Sequence, residues 1–70
     1  MLDALRGWRT ARAKADAVPP YVVAHDATLA AIAEARPGSL AELRRIKGMG
    51  PARLDKYGAE LLAVVEGQPG

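Results

Sequence analysis

Cysteine and phenylalanine are absent from the 70 residues, and Trp8, Tyr21 and Tyr57 are the only aromatic side chains. Without cysteine no disulfide can compensate for small size, although a chain this short is only marginally able to bury a core. Without phenylalanine, and with alanine at 15 positions, the core has to come from helices that approach each other closely. One His and one Ser leave the usual nucleophile and base constellations unassembled, so an enzyme active site is not expected. No stretch nears the roughly 18 consecutive apolar residues of a membrane span. The first residues also lack the basic start, apolar run and cleavage site of a secretory signal. These absences predict one small cytoplasmic domain with no membrane partner, most simply a binding module within a longer protein.

What charge there is lies unevenly. The formal sum is +2, yet Arg6, Arg9, Arg12 and Lys14 follow one another with no acid between them. Arg44, Arg45, Lys47, Arg53 and Lys56 form a second run against Asp55 alone. Outside these runs Arg36 faces seven acids, among them Glu34, Glu42, Glu60 and Glu66. Segregation of this kind can give a nearly neutral molecule a basic face suited to a phosphate backbone. Two solvated helix surfaces would have the same composition. The acidic remainder would suit a protein partner better than DNA.

Apolar spacing predicts helices throughout. Leu2, Leu5, Trp8, Ala11 and Ala15 mark an amphipathic helix from residue 2 to about 16, with Arg6 and Lys14 outward and Trp8 largely buried. Pro19-Pro20 ends it in an extended link, since residues before proline avoid the helical basin. Asp26 suits the N-cap of a second helix carrying Leu29, Ile32 and Ala33, which must stop at Pro37-Gly38. Ser39 and Glu42 fit a capping box opening a third helix with Leu40, Leu43 and Ile46 on one face. Gly48-Met49-Gly50 is a tight turn, and Pro51 is suited to the first position of a fourth helix with Leu54 and Tyr57 inward. Gly58 allows a break before a fifth helix carrying Leu61, Leu62 and Val65. Residues 1–66 are thus expected to form an all-α bundle of about five short helices, with 67–70 as linker or frayed tail.

Two places can contact a ligand. Ile46-Lys47-Gly48-Met49-Gly50, followed by Pro51 and Arg53, has the pattern of a helix-hairpin-helix turn. Such glycines bring backbone N–H groups to a helix start that favours phosphate. A plain connection with Met49 in the core fits the same spacing. On either reading Gly50 is expected to resist added bulk. Val18-Pro19-Pro20-Tyr21-Val22-Val23 is a bend with an aromatic beside the first basic run, so Tyr21 can stack on a base of a single strand or can pack on the prolines. His25 beside Asp26 offers too few ligands for a metal and reads as the residue leading into a cap.

Taken in order, Leu5, Trp8-Arg9, Ala13, Val18 to Val23, Asp26-Ala27-Thr28-Leu29, Ile32-Ala33, Pro37, Leu43, Ile46, Gly48-Met49-Gly50, Leu54 and Tyr57-Gly58 resemble the HRDC domain, the helicase and RNase D C-terminal module. The resemblance covers nearly the whole chain. It implies a compact bundle of about five helices with a helix-hairpin-helix-like turn, serving as a non-catalytic, cofactor-free accessory of a bacterial RecQ-type DNA helicase. Ribonuclease D or a UvrD-like helicase is the alternative parent. The implied partner is single-stranded or structured DNA, bound weakly by a monomeric domain that regulates substrate choice. Docking on the parent helicase core is the rival. Carried over by position, the expected nucleic-acid contacts are Tyr21 with Arg9, Arg12 and Lys14, then Lys47, Gly48, Gly50, Arg53 and Lys56. Ala24-His25 departs from the bulky apolar or aromatic residue of many members, which predicts a less firmly anchored bend. With no phosphate loop or metal cluster in the sequence, a repurified preparation should show no nuclease, ATPase or helicase activity; metal-dependent DNA cleavage would contradict this.

Overall fold

Leu2–Asp16 forms α1, and its buried line differs from the apolar stripe that spacing alone suggests. In the computed structural model, which describes residues 1–68, Leu5 and Ala13 are buried, Trp8 is partly buried against the core, and Ala11 and Ala15 are exposed. Two adjacent ridges at four-residue spacing account for this. Leu5, Arg9 and Ala13 face α2 and α3, whereas Trp8, Arg12 and Asp16 reach α5. Long polar side chains therefore occupy packing positions on α1, their stems covering apolar surface while their charged ends find partners. The helix closes on Ala17 in the left-handed conformation, φ 55° and ψ 43°, with Val18 N–H donating to the Ala13 carbonyl at 3.0 Å. That bond pattern satisfies carbonyls left over at a helix end.

Pro19 is extended, but the link does not continue so. Pro20–Val23 winds into a one-turn helix, α2, with Pro20 at its first position. A proline there loses no hydrogen bond and already has helical φ. Asp26–Ala35 follows as α3, and its N-cap is His25 rather than Asp26, which stands in the first turn. Helix α4, Leu40–Arg44, is capped by Ser39, whose Oγ accepts from Glu42 N–H at 3.2 Å. Glu42 answers on Gly38 N–H at 2.7 Å, one residue before the usual reciprocal position of a capping box. Ile46 lies beyond α4, in the turn leading to α5.

The largest departure is at Gly58. No break occurs there: Pro51–Glu66 is one helix, α5. The fifth element of the bundle is α2, not a divided C-terminal helix. Gly58 is buried because α4 crosses α5 at this point; a Cβ would lie 2.8 Å from Leu40 Cδ2 and 3.4 Å from Leu54 Cδ1. Helix α1 packs on α2, α3 and α5, and α5 packs on α4. Leu5, Val23, Leu29, Ile32, Leu43 and Leu61 are fully enclosed between them, with Met49 and Tyr57 closing the core. No strand occurs among the described residues. Gly67 and Gln68 bond back to the last turn of α5, while Pro69 and Gly70 of the expected tail lie outside the described residues.

The turn assigns its two glycines opposite roles. Gly48 has φ 96° and sits against Thr28, whose Oγ1 and Cβ would meet any added Cβ. Gly50 has φ −70° and open space around it, so the expected intolerance belongs to Gly48 instead. Gly48→Ala should cost more than about 1–2 kcal/mol, from the left-handed backbone plus the contact with Thr28. Gly50→Ala should stay within about 0.5 kcal/mol. Urea unfolding of the two variants checks the contrast.

Candidate nucleic-acid interface

A one-turn helix leaves its last carbonyls without intrahelical partners, and α2 is too short to satisfy them itself. Two guanidinium groups do so from opposite sides. Arg9 of α1 donates from Nη1 to the Ala24 carbonyl at 3.0 Å, and its Nη2 pairs with Asp26 at 2.7 Å. Arg53 of α5 donates from Nη2 to the Tyr21 and Val22 carbonyls at 3.4 and 3.3 Å, and from Nη1 to Gly48 at 3.1 Å. The bend is anchored by these arginines, while Ala24 is buried and supplies little bulk of its own. Val23 points into the core; Tyr21 stays 61% exposed and Val22 43% exposed. The Tyr21 ring lies nearly parallel to the His25 imidazole, 22° between planes and 6.4 Å between centroids.

The cations expected at the interface divide into two groups. Tyr21, Gly48 and Arg53 are brought together through the Arg53 hydrogen bonds. Lys47 is held beside them, its carbonyl accepting from Thr28 Oγ1 at 3.2 Å. Arg53 bonds to neutral carbonyls, and neither it nor Lys47 has an acidic partner among the described residues. Arg9 stands under the same bend, but Asp26 neutralises it. Gly50 is exposed at the start of α5.

Arg12 and Lys56 belong elsewhere. Both approach Asp16, at 3.3 and 3.5 Å, and both lie over the Tyr57 ring, 5.6 and 5.3 Å from its centroid. Tyr57 Oη donates to Asp16 at 2.8 Å, and its ring meets Trp8 edge-on at 5.7 Å. Trp8 Nε1 donates in turn to Glu60 at 3.1 Å, and Arg12 Nε lies 3.9 Å from the same carboxylate. Two cations balanced by two acids make this a neutral seam between α1 and α5. Lys14 is exposed without a partner among the described residues, so of the basic run on α1 only Arg6 and Lys14 extend into solvent. Spacing could not reveal His25 as a neighbour of Tyr21, because the bend reads as extended and the four-residue interval has meaning only in a helix.

The Tyr57 hydrogen bond holds the Asp16 carboxyl below its usual range, helped by Arg12 and Lys56 against partial desolvation. The Arg9 hydrogen bond and charge lower Asp26 likewise, with Arg6 and His25 assisting. Lys56 is raised by Tyr57 and Asp16.

Five helices, a proline-started turn braced by arginines and an exposed tyrosine make up a small all-α domain. The HRDC domain model matches residues 1–65, and the chain belongs to that family. It is similar to the ATP-dependent DNA helicase UvrD2 of Mycobacterium tuberculosis, with 44% identity over 97% of this chain and 10% of that protein. It is also similar to the ATP-dependent DNA helicase RecQ of Haemophilus influenzae, with 36% identity over 89% of the chain and 10% of the relative. Among solved structures, D. radiodurans RecQ HRDC domain 3 superposes with a TM-score of 0.90 at 35% identity, covering 93% of this chain and 86% of that one. The chain therefore spans about a tenth of the length of these curated relatives, and HRDC domains of this kind are accessory parts of helicases.

The lowered carboxyls give stability a definite acid dependence. Because folding favours ionised Asp16, its contribution is complete above the ordinary carboxyl value of 3.8 and is lost as pH falls through the lower folded value. Melting curves should show Asp16→Asn less stable than the wild type at pH 7, with a shallower decline below pH 4. Asp26 leaves a residual slope of the same sign. Equal acid slopes would show that the Asp16 contacts do not favour its ionised form.

Proposed function

We propose that this chain is an accessory domain of a bacterial ATP-dependent DNA helicase that binds single-stranded or structured DNA weakly and influences which structures the motor engages. The carrying observation is Tyr21, an exposed ring on a turn braced by Arg53, whose charge has no acidic partner among the described residues. An aromatic face next to cations is the arrangement by which single strands are held, the ring taking a base and the cations its phosphates. The functional unit is residues 1–66, acting as a cytoplasmic monomer, and its activity is binding rather than chemistry. RecQ is the parent class the sequence predicts; the higher identity to UvrD2 favours a UvrD-like parent.

Docking on the parent core has its own support. An open groove between α4 and α5 is lined by Leu40, Pro51, Leu54 and Ala59 with Arg44 and Asp55, and Leu40 is 48% exposed. The DNA reading is preferred because the Tyr21 patch combines a ring with unneutralised charge.

Titration of a fluorescent oligothymidylate at several salt concentrations tests it. Engagement of three to five phosphates gives a slope of log K against log salt of about −2 to −3.5, with Kd in the range of roughly 10⁻⁶ to 10⁻⁴ M. Tyr21→Ala should keep the slope and lose about 1–3 kcal/mol of stacking. Arg12→Ala should leave the slope unchanged and lower the melting temperature, because Arg12 is held in the α1–α5 seam. Absence of salt-dependent binding by the wild type would favour docking on the core.

A further inference from the structure

Beside the Tyr21–His25 pair a groove of about 460 Å³ opens between α3 and the glycine turn. Its wall is His25, its floor Ala27 and Ala31, and its far side Thr28, Lys47 and Gly48. The volume falls within the roughly 300–1,000 Å³ of small-molecule sites. The Thr28 hydroxyl is already committed to the Lys47 carbonyl, so the floor offers an apolar face rather than free hydrogen-bonding groups. The groove keeps this shape because Gly48 has no side chain: a Cβ there would push Thr28 aside.

Charge separates this groove from the others. The groove between α4 and α5 carries Asp55, the one near the end of α5 carries Glu66, and the one beside Trp8 carries Glu60. No acid lines the His25 groove, and the Lys47 ammonium at its edge has no ion-pair partner among the described residues. Asp26, the nearest acid in sequence, is paired with Arg9.

Resting on the nucleic-acid reading above, we infer that His25 is a second stacking residue and that this groove receives one unstacked base of a single strand, next to the base on Tyr21. The near-parallel rings, 6.4 Å apart, offer π faces to two successive bases, and Lys47 meets the phosphate at the groove edge. Stacking accepts any base, because each has a π face, so the site selects unpaired over paired strands rather than one sequence over another. A base inside a duplex has both faces covered by its neighbours and cannot enter. The chemistry falls to a residue that in sequence is merely the one before a helix. His25 makes no side-chain capping bond, which leaves its ring available.

Five variants of the 70-residue chain, Tyr21→Ala among them, test the inference by fluorescence anisotropy with a 15-nucleotide oligothymidylate, each first checked for an unchanged melting temperature. His25→Ala should weaken binding about fivefold or more with the salt slope unchanged, and His25→Phe, which retains a ring, should restore it. Ala27→Leu fills the groove from an exposed helical position without removing any contact, and should weaken binding similarly. Lys47→Ala should instead reduce the slope by about 0.7, the share of one phosphate on a single strand. A strand of equal length with abasic sugars should bind more weakly to the wild type and be insensitive to His25→Ala. If His25→Ala and Ala27→Leu bind as the wild type does while Tyr21→Ala is impaired, the groove is not a base site and the nucleic-acid reading stands. If the wild type shows no salt-dependent binding, that reading fails and the groove inference with it.

Discussion

The carbonyls at the end of α2 set the terms for the rest of the molecule. Four residues cannot bond their own C-terminal carbonyls, and the turn persists because Arg9 and Arg53 donate to Tyr21, Val22 and Ala24 from α1 and α5. Those bonds tie both long helices to one point on the surface. The same clamp orients Val23 into the core and leaves Tyr21 outside it. Arg53 also reaches the Gly48 carbonyl, so the bend and the glycine turn are held by a single side chain, although Tyr21 and Gly48 are far apart in sequence.

A second constraint joins α1 to α5 on another face. Tyr57 is buried with its hydroxyl on Asp16, and Trp8, Arg12 and Lys56 surround its ring. A phenol enclosed this way needs an acceptor, and an ionised carboxylate is a strong one. The seam is electrically neutral, with Arg12 and Lys56 both paired to Asp16. Charge near Tyr21 is left to Arg53 and Lys47. The two clusters thus differ by partner type: Arg53 is bonded to neutral carbonyls, whereas Arg12 and Lys56 are paired with carboxylates. Counting basic residues along the sequence cannot make that distinction.

Membership in the HRDC family and the helical class were legible in the sequence because they rest on local signals: capping residues, prolines at helix starts and the order of apolar positions. Tyr21 was legible as a candidate for the same reason. Its companion His25 was not, since a four-residue interval juxtaposes two rings only when the chain between them turns, and Pro19-Pro20 suggests an extended link. The ion pairs of the basic run on α1 were not legible for a related reason. Helical spacing identifies neighbours on one helix, while Asp26 and Glu60 come from other elements and neutralise Arg9 and help to hold Arg12.

The sequence alone determined the starts of α1, α4 and α5, the alanine-rich close packing and the site of the reversal at Gly48-Met49-Gly50. It did not determine that Gly58 is a crossing point rather than a break, because a missing Cβ permits either, and only the approach of Leu40 selects between them. Nor did it decide which of the two turn glycines is indispensable: Gly48 meets Thr28 and Gly50 meets open space. Tertiary structure alone decided the fate of each charge. A side chain's electrostatic role depends on the atoms that reach it through space, and these come from residues up to 52 positions away, as from Trp8 to Glu60.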